Sequence, residues 1–154
     1  MSTTIKRFIQ VLKNGAWTNV DTFTSGGWKL REILDDEELI QNAAPEGIAQ
    51  EQYCTYAVVT GKELEELSDK YHNEAVNSAI KNGADTRFDE ILAILKNNKS
   101  QEDIEDSNEL RREDIEDAIY GAETISFEER LASMIARNEE VYSGDEYRVV
   151  YEIS

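Results

Sequence analysis

The residues with the clearest capacity for binding chemistry are carboxylates that recur within one stretch of the sequence. The pattern Glu-Asp-Ile-Glu-Asp occupies residues 102–106 and again residues 113–117. On one helix this offset of eleven residues makes three turns with about 20° of drift, so Ile104 and Ile115 point in the same direction. We therefore expect both isoleucines to face a core and the surrounding carboxylates to face solvent.

These carboxylates, together with Glu109, form the acidic surface that we predict to bind a partner. Its nine members are Glu102, Asp103, Glu105, Asp106, Glu109, Glu113, Asp114, Glu116 and Asp117. A row of carboxylates on a rigid helix can take the place of nucleic-acid phosphates in a positively charged groove. The expected partner is a basic protein surface, such as that of a nucleic-acid-binding protein, and salt should weaken its binding.

Two observations leave the geometry and role of this segment open. Asn108 and Arg111 are poor residues for an inner face, and Ser107 or Asn108 could cap a new helix, so residues 102–117 form either one helix or two. An acidic face also aids solubility without any partner. A second acidic cluster, expected in the middle of a helix, consists of Asp35, Asp36, Glu37 and Glu38.

Groups that could perform catalysis are few. The chain has one histidine, His72, and one cysteine, Cys54, and neither lies in a recognisable catalytic motif. No G-x-x-x-x-G-K or G-x-G-x-x-G sequence is present to hold phosphates. The sequence therefore predicts a protein that is not an enzyme and that needs no cofactor.

Metal binding is the other chemistry that an acidic segment can support. A calcium loop that began at Asp103 would place Asn108 where an EF-hand requires glycine, which argues against this motif. Sites built from two histidines or from pairs of cysteines are impossible with one residue of each type. We predict no metal site, although an unrecognised carboxylate metalloenzyme stays as a third functional hypothesis.

The overall charge restricts the classes of partner. The chain has 154 residues, of which 33 are acidic and 16 basic, so its net charge is −17 and its pI is about 4.4. Nucleic acids and anionic membranes attract clustered Lys and Arg, so this balance argues against direct binding to either. The sequence has no membrane span, and its single cysteine favours a reducing, cytoplasmic location.

Strand signals lie near both ends of the chain. Asn14-Gly15, between β-prone residues 5–12 and 17–23, predicts an N-terminal hairpin. Residues 53–59 predict a central strand, and residues 141–153 predict a closing hairpin.

Helical signals lie between these strands. Apolar spacing predicts a helix over residues 28–43, one that begins at a capping box of Thr60 with Glu63, and one from Asp85 or Thr86. The acidic helical segment over residues 98–120 follows, and then a helix that opens at a second capping box, of Ser126 with Glu129.

These elements predict one α+β domain over residues 1–154, with a largely antiparallel sheet from two terminal hairpins and a central strand, and four to five helices. The first functional hypothesis is a non-catalytic inhibitor or nucleic-acid-mimicking decoy, a role typical of acidic anti-defence proteins of phages or mobile elements and of immunity proteins. The second is a small-molecule-binding domain with a pocket on the sheet. Its candidate tyrosines are Tyr53, Tyr56, Tyr142, Tyr147 and Tyr151. The oligomeric state stays open.

Overall fold

The computed structural model describes residues 3–81 and 106–154, without the side chains of residues 106–112. The strands are β1 (Thr4–Lys13), β2 (Ala16–Gly26), β3 (Ile40–Gln41), β4 (Thr55–Thr60) and β5 (Tyr147–Ile153). The helices are α1 (Trp28–Asp36), α2 (Gly61–Lys81) and α3 (Asp106–Asn138). The predicted α+β class is thus confirmed. Residues 1–68 and 124–154 form one compact unit, and residues 69–123 form another.

The five strands form one antiparallel sheet in the order β2-β1-β5-β4-β3. The N-terminal hairpin is confirmed, and both residues of its turn have left-handed backbone angles, with φ 53° at Asn14 and φ 79° at Gly15. Two positive φ angles are what a two-residue hairpin turn needs in order to follow the twist of its strands. The alternation in β1 therefore directs Ile5, Ile9 and Val11 to one face of the sheet, where they are buried.

Helical residues of the unit formed by residues 1–68 and 124–154 cover this face. Glu128 of α3 bonds to Arg7 of β1, and Gly61 at the start of α2 lies so close to the Tyr147 ring of β5 that a Cβ there would overlap it. The capping box that begins α2 is confirmed by reciprocal bonds of 3.1 Å between Thr60 and Glu63. The buried apolar residues from the helices include Leu30, Ile33, Leu34, Leu64, Ile125 and Ile135.

The opposite face of the sheet is covered by chain without regular structure. Residues 42–54, between β3 and β4, lie against it: the Tyr56 hydroxyl accepts a hydrogen bond from the Glu51 amide at 2.8 Å and donates one to the Ala49 carbonyl at 3.4 Å. The Gly47 region approaches the side chain of Gln10 in β1. This face therefore carries polar contacts as well as packing.

The number of helices differs from the prediction, since the described residues contain three. The helix predicted from residue 85 lies outside the described residues. The described part of the acidic segment, residues 106–120, and the helix expected from Ser126 belong to one continuous helix, α3. The part of the segment before Asp106 lies outside the described residues. Ser126 lies in the interior of α3 and starts no new helix, and no proline interrupts α3 at this point.

The predicted end of the first helix is wrong. Helix α1 ends at Asp36 instead of reaching residue 43, because the Leu39 amide bonds to the Leu34 carbonyl and the Glu38 amide to the Asp35 carbonyl, each at 3.0 Å. With Glu38 at φ 58°, this is a Schellman motif in which glutamate takes the position usual for glycine. The chain then forms the short strand β3, which the sequence did not predict.

The predicted C-terminal hairpin is also wrong. Val141 and Tyr142 lie outside any strand, and β5 inserts between β1 and β4. Strand β5 is therefore the central strand, a place that the sequence assigned to β4. A turn after α3, closed by the Glu146 amide on the Ser143 carbonyl at 2.9 Å, redirects the chain, and the Gly144 carbonyl accepts a bond from the Lys62 amide at 3.1 Å.

Candidate protein-interaction surface

The described part of the acidic surface lies on α3. The side chains of Glu113, Asp114, Glu116 and Asp117 are exposed, whereas Ile115 between them is only 5% exposed. The backbone is helical from Asp106 onward, so Asp106 and Glu109 belong to the same helix. Glu102, Asp103, Glu105 and Ile104 lie outside the described residues.

The electrostatics of this surface follow from helical spacing. Glu113 and Asp117 are four residues apart, and like charges at this spacing destabilise a helix by tenths of a kcal/mol. The basic residues that precede them, Arg111 and Arg112, are too few to balance the carboxylates. The surface therefore has a concentrated negative charge that helix stability does not explain.

The second acidic cluster occupies a different place from the one predicted. Asp35 and Asp36 end α1, Glu37 caps it, and Glu38 follows in the left-handed conformation, so the cluster lies at the helix end and not in its middle. Asp35, Asp36 and Glu38 are exposed and Glu37 is half-buried. Because the C-terminal end of a helix carries partial negative charge, four acidic residues are unfavourable there.

The tyrosines proposed to line a pocket do not share one surface. Tyr147 and Tyr151 are buried on the helix-covered face of the sheet, and Tyr56 is buried on the opposite face. Tyr53 and Tyr142 lie outside the strands and are 92% and 72% exposed. The strand register places the Tyr56 side chain on the opposite face of the sheet from the side chains of Tyr147 and Tyr151.

The two residues considered for nucleophilic catalysis lie in ordinary surroundings. His72 is exposed on α2. Cys54 is half-buried just before β4, and burial, followed by the negative charges of Glu152 and Glu51, raises the pKa of its thiol. A raised pKa keeps the thiol protonated and less nucleophilic at neutral pH.

An ion pair buried under the sheet was not predicted from the sequence. Arg7 donates from Nε to Glu128 Oε1 at 2.7 Å and from Nη2 to Oε2 at 3.2 Å, and both side chains are at most 4% exposed. Its Nη1 donates to Ser25 Oγ at 2.8 Å, and its guanidinium lies 4.7 Å from the centre of the Phe23 ring. Beside it, burial and the Glu128 carboxylate raise the pKa of Tyr151 well above its ordinary value.

A second unpredicted arginine cluster lies on the opposite face of the sheet. Arg148 of β5 stacks on Trp17 at 4.3 Å from the ring centre and donates from Nε to Gln10 Oε1 at 2.7 Å. Gln10, which is fully buried, donates from Nε2 to Asn19 Oδ1 at 2.7 Å. The only sequence signal for this cluster was a basic residue in a strand of an acidic protein.

Within residues 3–81 and 106–154, no group of three or more His, Cys, Asp or Glu side chains is arranged to hold a metal ion. None of the helices in the same part of the chain combines the length and the hydrophobicity that a membrane span requires. Comparisons with protein-family models, with curated proteins and with solved structures find no match to the chain.

Proposed function

We propose that this protein is a non-catalytic interaction protein whose acidic surface binds a basic surface of another protein, as an inhibitor or a nucleic-acid-mimicking decoy. The observation that supports the proposal is the placement of Glu113, Asp114, Glu116 and Asp117 in solvent on one continuous helix, with Ile115 turned inward. Regular helical geometry gives these charges fixed spacing, which a disordered acidic tail lacks.

The density of charge along α3 fits a basic groove that binds phosphates. Between Asp106 and Asp117 the helix carries six carboxylates and two arginines, which at a rise of 1.5 Å per residue is about one net negative charge per 4 Å. One strand of duplex DNA carries one phosphate per about 3.4 Å along the axis. A groove shaped to track one phosphate strand would thus meet a similar linear charge on this helix.

Neither acidic cluster is explained by the stability of its own helix. Carboxylates four residues apart in α3 repel each other, and those at the end of α1 oppose the helix dipole. A basic partner bound to α3 would reduce the repulsion within α3, because positive charges would then lie beside its carboxylates. This difference in electrostatic energy would favour the bound state and would make association sensitive to salt.

The proposal is tested by capture of partners on the immobilised protein at about 50 mM and about 300 mM salt, followed by addition of an oligonucleotide. We expect basic proteins to be retained at low salt only and to be released by the oligonucleotide, since both ligands would occupy one groove. Retention of proteins that are not basic, or no release by nucleic acid, would contradict a decoy.

A further inference from the structure

From the cluster around Arg148 we infer a second binding site, on the sheet face that residues 42–54 lie against, at which the outer edge of the Arg148 guanidinium binds a carboxylate group. This inference does not depend on the proposed function, because it concerns a cationic site on the unit formed by residues 1–68 and 124–154 and not the acidic surface.

The first step is the way in which the inner edge of the guanidinium is held. Its Nε donates to Gln10 Oε1 at 2.7 Å, and its Nη2 donates to the main-chain carbonyl of Glu46 at 3.3 Å. Both atoms belong to the lateral edge of the guanidinium, where Nε–H and one N–H of Nη2 point in the same direction, as in the Arg7–Glu128 pair. The opposite edge, formed by Nη1 and the second hydrogen of Nη2, has no acceptor among the described residues.

The second step is that this outer edge reaches solvent. The Arg148 side chain as a whole is half-buried. Its Nη1 atom makes no hydrogen bond with the described residues, yet it is not a buried atom, so it is accessible to solvent. The two parallel N–H groups of such an edge match the two oxygens of a carboxylate, which is the bidentate geometry that arginine favours. The free edge is therefore placed where a ligand can reach it.

The third step is that the arginine has no carboxylate of its own among the described residues. Acidic residues outnumber basic ones by two to one in this chain, yet both acceptors of Arg148 are neutral oxygens. The Glu46 carboxylate is close enough to favour the charged guanidinium but makes no ion pair with it, while burial lowers the pKa of Arg148. A partly desolvated cation that has no paired carboxylate gains more from an anion than a fully solvated one.

The fourth step is preorganisation. The buried Gln10 amide is fixed at both ends, since its Nε2 is bonded to Asn19 and only its oxygen can face the arginine, which has no acceptor. Trp17 supports one face of the guanidinium. The Glu46 carbonyl is presented by a turn that the Ile48 amide closes on the Pro45 carbonyl at 3.1 Å, with Gly47 at φ 87°. Little entropy is lost when a ligand binds to a group held on three sides.

The experiment is an NMR titration of the protein with benzoate at constant ionic strength, followed at the Arg148 Nε–H and Trp17 indole N–H resonances. Benzamide serves as the neutral probe of the same shape and sodium chloride as the ion control. We expect saturable shifts with benzoate, with a Kd of about 1–10 mM as for one charge-assisted pair, and none with benzamide or chloride. Shifts that do not saturate, or that benzamide reproduces, would overturn the inference.

Two variants identify the group that binds. Arg148→Lys keeps the charge but lacks the fork, and it should weaken benzoate binding about tenfold. Arg31→Lys is the matched control, because Arg31 is exposed and its side chain forms no hydrogen bond or ion pair with the described residues, and it should leave benzoate binding unchanged. Equal effects of the two variants would show that Arg148 is not the site.

Glu46→Gln tests the site while leaving the arginine and its turn in place. Removal of the nearby negative charge should tighten benzoate binding about two- to threefold. Unchanged affinity would contradict a site at Arg148, and this outcome stays informative even if Arg148→Lys disturbs the fold. An arginine that only holds residues 42–54 against the sheet would show no benzoate binding in any variant.

Discussion

Arg7 and Glu128 hold a pair of opposite charges in a place where an unpaired charge would be very costly. The pair joins strand β1 to helix α3, and both side chains are almost completely buried. Buried ion pairs gain little over well-packed apolar residues, because desolvation offsets their attraction. We therefore interpret the pair as an interaction that specifies how the part of α3 around Glu128 packs on the sheet.

This interpretation predicts how single and double substitutions differ. Arg7→Met alone should lower the free energy of unfolding by about 3–5 kcal/mol, because it leaves the Glu128 carboxylate buried without its partner. The double variant Arg7→Met/Glu128→Met should regain most of that loss. Urea denaturation measures both, and a double variant as unstable as the sum of the two single variants would disprove the interpretation.

The Tyr151 hydroxyl is buried and has no hydrogen-bond partner among the described residues. Tyr151→Phe should therefore raise the free energy of unfolding by about 1 kcal/mol at pH 7, since it removes an unsatisfied polar group without changing the packing. Chemical denaturation at pH 7 tests this value. A loss of stability would mean that the hydroxyl has a favourable interaction.

The same residue predicts a dependence on alkaline pH. Burial raises the pKa of Tyr151 above its ordinary value of 10.0, so above that pH the unfolded chain loses the proton first. Stability that is present below pH 10 is thus lost as the pH rises towards the pKa of the folded protein. Tyr151→Phe should show a smaller loss between about pH 9 and pH 11 than the parent protein.

At the scale of elements, α1 and α3 end in the same way. After α3, the Val141 amide bonds to the Ala136 carbonyl and the Glu140 amide to the Arg137 carbonyl, both at 2.9 Å, with Glu140 at φ 61°. As with Glu38 after α1, a glutamate takes the left-handed position that favours glycine. Both helix ends therefore hold backbone strain that a substitution can relieve.

Glu140→Gly should raise the free energy of unfolding by about 0.5–1 kcal/mol, because glycine adopts the left-handed conformation without the steric cost of a Cβ. Glu140→Gln is the matched control, since it removes the same charge from the end of the helix dipole and keeps the strained backbone. Thermal unfolding compares the two. A glutamine variant at least as stable as the glycine variant would assign the effect to charge and not to conformation.

Local signals predicted some elements well. Asn14 and Gly15 form the hairpin turn because both residues tolerate positive φ angles. Thr60 and Glu63 cap α2 through hydrogen bonds between residues three apart. Both features could therefore be predicted from a few consecutive residues. The failures have a different cause. The end of α1 was missed because Glu38, and not the usual glycine, occupies the left-handed position of its Schellman motif. The central position of β5 was missed because it depends on pairing with β1, which is far away in sequence.

The same distinction applies to the candidate sites. The acidic surface was predicted because its residues recur at helical spacing in the sequence, and the burial of Ile115 agrees with that spacing. The two arginine clusters were missed because Arg7 and Glu128 are 121 positions apart and Gln10 and Arg148 are 138 apart. Only the strand order brings them together, and that order was not readable from the sequence.

At the scale of the whole molecule, a net charge of −17 on 154 residues makes self-repulsion a term in stability. Moderate salt should therefore raise the melting temperature at pH 7, and the melting temperature should be highest near about pH 5–6, where partial protonation reduces the repulsion. A melting temperature that is unchanged or falls with salt would show that repulsion is not important.

The most direct test of the proposed function compares two charge-reversed variants for binding to a captured basic partner. One carries Lys at Glu113, Asp114, Glu116 and Asp117, and the other carries Lys at Asp35, Asp36, Glu37 and Glu38, which gives the same change in net charge. Circular dichroism first establishes that both fold. We predict that the first variant loses at least about tenfold in affinity, mainly through slower association, and that the second loses much less. Equal losses in the two variants, or unchanged affinity in the first, would contradict a binding surface on α3.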